Sequence, residues 1–214
     1  MLTPDDGGSD GGKRKYLNGK GNWSEYDPPL FESLQQTTDP RKRHVSYAES
    51  WGILPTARFF FSKLLPANSL ERRTYFQEFL SVARETGANL VFFDPDNGLE
   101  VPSVPYRMKR SPKHLYSDEL WCTFSRGHSI LLYQHFGRQK RGPFICNTAQ
   151  GLCWATGAAD LFSFRTRNVV FFLVPQASHN EFFQSRASQV TAVWGDQVLV
   201  TCHACNLSDR RVES

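Results

Sequence analysis

Apolar residues recur along the later part of the 214-residue chain in two periods, and their alternation sets the first expectation of fold. After Asn68 or Ser69, either of which can cap a helix, Tyr75, Phe76, Phe79, Leu80 and Ala83 repeat at helical spacing until Gly87 stops them. Leu90–Phe93 is a short continuous apolar run, the form a buried strand takes. A basic, proline-interrupted loop runs on to Lys113, Ser117-Asp-Glu opens a second helix that Gly127 closes, and Ser129–Phe136 is the next strand. Beyond it Pro143–Ala159 reads as a helix with a glycine-rich loop, Val169–Val174 as a strand, Ser178–Trp194 as a helix and Gln197–Cys202 as a last strand. Ala57–Leu65 is apolar and aromatic enough for an earlier strand, whereas Pro29–Leu54 mixes the two periods and is assigned to neither. Strands alternating with helices of this length imply βαβ units, so the expected class is α/β, with a mostly parallel sheet and helices on both faces.

Composition narrows the class without naming a partner. At 40% hydrophobic and 14% aromatic residues the chain can bury one sizeable core, which sets the expectation of a single domain over residues 1–206 and a polar tail over 207–214. The net charge of +4 permits contact with nucleic acid but does not require it. No stretch approaches the roughly 18 to 20 apolar residues that span a bilayer, and the acidic, glycine-rich start is unlike a secretory signal, so no membrane association and a cytoplasmic location are expected. Five cysteines, an odd number at low density, read as reduced thiols. Cys202-His-Ala-Cys205 has the spacing of half a zinc site, but no second such pair exists to complete four ligands.

The most informative stretch is Asn89 to Leu99, where the apolar run empties into Asp94-Pro-Asp-Asn-Gly98. Ligands of open α/β sheets sit beyond the carboxyl ends of the strands, which places Asp94, Asp96 and Asn97 at a site. Lys113 and His114 on the following loop, and Tyr133, Gln134 and His135 at the end of the next strand, face the same crevice if the sheet is parallel, as substrate-binding groups. Short basic clusters at Arg107–Arg110 and Arg138–Arg141 are solvated faces or, if they flank that crevice, a track for a phosphate backbone. Asp94 and Asn97 have a plainer reading as an Asx-type turn with Gly98, and His135 as a hydrogen-bonded structural histidine.

The succession of a glycine-containing loop after Met1-Leu2, then Phe93-Asp-Pro-Asp-Asn97, a helix, a strand and a closing strand-helix-strand resembles the class I S-adenosylmethionine-dependent methyltransferases. The likeness is nearest to bacterial ribosomal RNA adenine methyltransferases with an Asp-Pro-Pro-Tyr motif and to related uncharacterised bacterial proteins. It implies a Rossmann-like single domain, S-adenosylmethionine held by Asp5, Asp6, Gly7 and Gly8, and a nucleic-acid acceptor, RNA or DNA. With only Met1 and Leu2 ahead of that loop, the expected sheet lacks a complete first strand. The resemblance also gives roles to Asp94, Pro95, Asp96 and Asn97. The Asp94 carboxylate and the Pro95 carbonyl would accept the protons of the acceptor amine, so that its lone pair meets the methyl group in line, while Asp96 and Asn97 shape the pocket. The sequence departs from the motif in having Asp96 for proline and Asn97 for the aromatic residue that stacks on a flipped base, a ring that Tyr133 or Phe136 could replace.

Two other classes fit the same residues. Asp94, Asp96 and Glu100 are clustered carboxylates of the kind magnesium prefers, which would make a metal-dependent nuclease or phosphodiesterase, although Glu100 is followed by Val101-Pro102 and lacks the Glu-x-Lys spacing of many nucleases. A non-catalytic nucleic-acid-binding module is the third.

Overall fold

The computed structural model of the chain describes residues 17, 23–36, 39, 50 and 61–205, which belong to two compact units, Leu2–Leu64 and Leu65–Ser214. In the first unit, α1 spans Trp23–Tyr26 and α2 spans Pro28–Gln35. Asp27 caps α2 by accepting from the Leu30 N–H at 3.1 Å, and Pro28 opens the helix where a missing N–H costs nothing. The cofactor loop expected at Asp5, Asp6, Gly7 and Gly8 lies outside the described residues, as do the tail 207–214 and positions 57–60 of the early strand. Residues 61–65 form no strand.

The second unit carries the sheet. Its elements are α3 (Ser69–Glu85), β1 (Leu90–Phe93), α4 (Ser117–Phe124), β2 (Ser129–His135), α5 (Arg141–Thr156), β3 (Asp160–Arg165), β4 (Val169–Val174), α6 (Asn180–Trp194) and β5 (Leu199–Ala204). The strand order is β1-β2-β4-β3-β5, with β1 and β2 parallel and every other neighbouring pair antiparallel. The mostly parallel, Rossmann-like sheet expected from the sequence is therefore corrected to an open, mixed and mostly antiparallel one, and the methyltransferase-like assignment that rested on it falls with it. The cause is local. Gly157, left-handed at φ +76°, ends α5, and β3 follows within three residues, a strand the sequence reading passed over. A turn at residues 166–168 then folds β4 straight back, with the Thr166 N–H donating to the Val169 carbonyl at 2.9 Å and Thr166 Oγ1 accepting from the Val169 N–H at 3.1 Å. A hairpin forces antiparallel pairing where a helical crossover would have allowed parallel.

Strand alternation divides the core between two faces. Val91 and Phe93, Ile130 and Leu132, Val170 and Phe172, and Leu161 are buried on one face, under α3, α4 and α5. The Phe76 and Phe79 rings of α3 lie 6.4 and 6.0 Å from that of Phe93. On the other face Phe162 and Leu173 pack with Phe183 and Ala187 of α6. No helix among the described residues is long and apolar enough to cross a membrane.

Reduced thiols throughout are also corrected. Cys153 on α5 is joined to Cys205, just past β5, across a Cα separation of 5.5 Å. The odd cysteine count hid a pair 52 residues apart, and the Cys202-His-Ala-Cys205 spacing is not half a zinc site, because the Cys205 sulfur is spent on that bond. Between these two cysteines, the His203 ring nitrogen Nε2 lies 2.8 Å from Ser163 Oγ, and burial holds the imidazole below its ordinary value of 6.5. The unfolded chain thus takes up this proton first as the pH falls. The stability that neutral His203 contributes is present above about 6.5 and lost as the pH drops through the lowered folded value. Urea midpoints measured between neutral and mildly acidic pH are expected to decline for the native chain and to decline less for His203→Gln; equal slopes would remove His203 as the cause.

Among the described residues one charged side chain has no exposed surface. Arg72, on the apolar side of α3, has no exposed surface and donates to Glu119 Oε1 from Nε at 2.5 Å and to Glu119 Oε2 at 2.8 Å. It also donates to the Ser111 and His114 carbonyls, each at 2.7 Å, and lies over the rings of Tyr106 and Tyr116 at 5.0 and 4.9 Å. Arg72→Met is expected to cost about 3–5 kcal/mol in chemical denaturation, because it strands a buried carboxylate and two carbonyls. Adding Glu119→Gln should recover only part of the loss, since the carbonyls stay unpaired; full recovery would confine the effect to the ion pair.

Candidate ligand crevice at the carboxyl ends of β1 and β2

Two parallel neighbours release their chains on the same side of a sheet, and a crevice of about 580 Å³ opens beyond β1 and β2, between the loop after β1 and one side of α5. Its floor is built by the loop. Pro95–Gly98 is a turn closed by the Gly98 N–H on the Pro95 carbonyl at 3.1 Å, with Gly98 at φ +82°. The chain then pairs with its own return leg: Asn97 N–H to Lys113 O at 2.8 Å, Leu115 N–H to Gly98 O at 3.0 Å, and Glu100 N–H to Leu115 O at 2.9 Å. His114 Nδ1 meets the Leu99 carbonyl at 2.9 Å, and Tyr116 Oη donates to the Val104 carbonyl at 2.8 Å. Glu100 Oε1 accepts from the Ser117 N–H at 2.8 Å and from its hydroxyl, so it holds the start of α4.

Gln134 joins this floor to β2. Its side chain is buried, with Oε1 accepting from the Leu99 N–H at 2.9 Å and Nε2 donating to the His135 carbonyl at 3.0 Å. The amide lies directly on the bare α-carbon of Gly98, where a Cβ would overlap it. Glycine is thus required twice at position 98, for its left-handed backbone and for this contact.

The residues singled out in the sequence divide between places. Asn97 and Gln134 line the crevice, and His135 borders it with its ring turned to the Tyr133 side. Asp94 follows Phe93, which pairs with Leu132, so it stands next to Tyr133 on the sheet face opposite Gln134. There the Tyr133 ring lies 4.8 Å from that of His135 and 5.3 Å from that of Phe171. Desolvation by the surrounding protein raises the Asp94 carboxyl above the usual range, with Asp96 pushing the same way and His135 opposing. Desolvation and the neighbouring Asp94 charge raise Tyr133. Pro95 is buried in the turn, Asp96 is 4.0 Å from the Lys113 ammonium, and His114 is buried in loop closure. Asp94, Asp96 and Glu100 do not converge, and among the described residues no group of three or more His, Cys, Asp or Glu side chains could hold a metal ion.

The sequence reading did not single out the wall supplied by α5. Phe144, Asn147, Thr148, Gly151 and Ala155 line the crevice at helical spacing, and that stripe of amide, hydroxyl and small side chains was the available signal. The Phe144 ring is 5.9 Å from that of Phe136 at 71°, and Arg141 lies over Phe136 at 5.1 Å. Comparison of the chain with protein-family models, curated proteins and solved structures finds no match.

Gly98→Ala is expected to lower stability by about 1–3 kcal/mol, because the new methyl group must displace the Gln134 amide from the half-buried Leu99 N–H and leave that donor unpaired. Combined with Gln134→Ala in a double-mutant cycle, the two losses should not add; strict additivity would mean that the contact does not couple floor and strand.

Proposed function

We propose that the crevice binds a nucleotide unit of single-stranded nucleic acid. The observation that carries this reading is the aromatic pair Phe136 and Phe144 on the crevice wall, beside the exposed run Arg138-Gln-Lys-Arg141 at the start of the 16-residue helix α5. A volume of about 580 Å³ lies in the range of small-ligand sites and accommodates a base with its sugar. Aromatic faces stack on any base, and the amides of Asn97, Gln134 and Asn147 offer polar partners to a base edge. Outside the slot, Arg138, Lys140 and Arg141 suit phosphates, helped by the amino-terminal dipole of α5. The β3–β4 turn adds Arg165 and Arg167 at the same end of the sheet, since Arg165 pairs with Val170 and His135 pairs with Val169.

Binding of fluorescently labelled single-stranded RNA and DNA, followed by anisotropy over a range of salt concentrations, tests the reading. Affinity should fall with salt, and Lys140→Ala should reduce the logarithmic salt slope by about 0.7. Phe144→Ala, with folding checked by circular dichroism, should weaken binding roughly 5- to 100-fold and leave the slope unchanged. Failure of both nucleic acids to bind, or indifference to Phe144→Ala, would overturn it.

A further inference from the structure

We infer that the base this crevice selects is guanine, an inference that rests on the nucleotide-binding reading above. Two side chains in the crevice have fixed orientations and unused hydrogen-bonding capacity. Gln134 is 7% exposed, and its amide can point only one way, because the Leu99 N–H needs Oε1 and the His135 carbonyl needs Nε2. That leaves one Nε2–H as a preorganised donor in the crevice wall. Glu100 gives Oε1 to the Ser117 N–H and hydroxyl, which anchors the carboxylate, while Oε2 takes no hydrogen bond among the described residues. Of the crevice's polar groups, these two therefore supply an oriented amide donor and an anchored anionic acceptor.

Base edges differ in how they meet such a pair. Guanine presents two adjacent donors, N1–H and the N2 amine, and next to them the O6 acceptor. The two donors can share Oε2, and O6 can take the Gln134 N–H. Adenine and cytosine also carry an amine, but its neighbour on the edge is a ring nitrogen whose lone pair would face the carboxylate. Uracil and thymine place a single N–H between two carbonyls, one of which would face the same charge. A carboxylate facing a lone pair loses a charge-assisted bond and gains repulsion, so guanine is favoured over the other bases.

The test is calorimetric titration of the full chain with the 5′-monophosphates of guanosine, inosine, adenosine and cytidine, repeated with Glu100→Gln, whose carbonyl oxygen can still serve Ser117. The guanosine nucleotide should bind at least about tenfold more tightly than the adenosine and cytidine nucleotides, and inosine, which lacks the N2 amine, should fall about fivefold below guanosine. In Glu100→Gln, with its melting temperature checked, the four affinities should converge to within about twofold. Equal binding of guanosine and adenosine nucleotides, or a guanosine preference that survives Glu100→Gln, would overturn the guanine inference and leave nucleotide binding standing. Binding of neither the mononucleotides nor the single-stranded oligomers would overturn both.

Discussion

The desolvated guanidinium of Arg72 is the constraint on which the crevice depends. Residues 94–116 leave the sheet between β1 and α4, and beyond the short pairing of Leu99 with Leu115 they must satisfy their backbone outside any sheet. Arg72 supplies the missing donors from α3, two to the carbonyls of Ser111 and His114 and two to Glu119 at the head of α4. Glu119 in turn accepts from the Tyr116 N–H at 3.0 Å, so one ion pair fixes the end of the loop and the beginning of the helix together. Desolvation raises the Glu119 carboxyl and the arginine opposes it, while burial pushes the nearby Tyr75 and Tyr106 hydroxyls up to about 12. A pair so deeply buried adds little net stability over an apolar replacement. Its consequence is geometric, because Lys113 and Leu115, on either side of His114, make the backbone bonds to Asn97, Gly98 and Glu100 that form the crevice floor.

The local periods in the sequence mark most of the elements, and they fail where the structure depends on what an element packs against. Tyr75, Phe76, Phe79, Leu80 and Ala83 identify α3, and Arg72 falls four residues before Phe76 on the same side, a position where a charge signals a buried partner. The sequence reading did not consider Arg72, and nothing local to it points to Glu119, 47 residues on. Strand β3 was overlooked although Leu161, Phe162, Ser163 and Phe164 alternate cleanly between the two faces, because a helix run out to Ala159 absorbed its approach. That omission turned a hairpin into an imagined crossover and an antiparallel sheet into a parallel one. The Cys153–Cys205 bond had no local signature at all, since tertiary proximity alone selects two of five cysteines.

At the site, the turn chemistry was legible and the parity was not. The Asp94-to-Gly98 stretch does end a strand at the mouth of a crevice, as its glycine and carboxamide suggest. Which side chains enter the crevice follows from strand alternation, and with a period of two a single position decides it. Gln134 therefore faces the crevice while Tyr133 and Asp94 face away. Glu100 was legible as a carboxylate and misleading as a metal ligand. Its partner Ser117 comes from the next helix, so its capping role exists only once Leu99 and Leu115 have paired.

The mixed sheet also explains how one parallel pair can leave its crevice open on one side. In a wholly parallel sheet every strand leaves the ligand end into a connection that runs back over a face, and these connections crowd the opening. Here the neighbour on the far side of β2 is β4, whose partner β3 reaches it through the turn at residues 166–168. A hairpin turn needs no covering helix, so that side of the rim stays low and carries the exposed Arg167 in place of an apolar helix face. On the other side, α5 begins at Arg141 and lines the crevice from Phe144 onward, with aromatic and amide groups inside and cations at its start. The separation of charge follows from this arrangement: the cations stay at the rim, and the carboxylate of Glu100, itself exposed, is held at the crevice floor by the two donors of Ser117. A site divided in this way favours a ligand with an anionic end and a donor-rich polar edge.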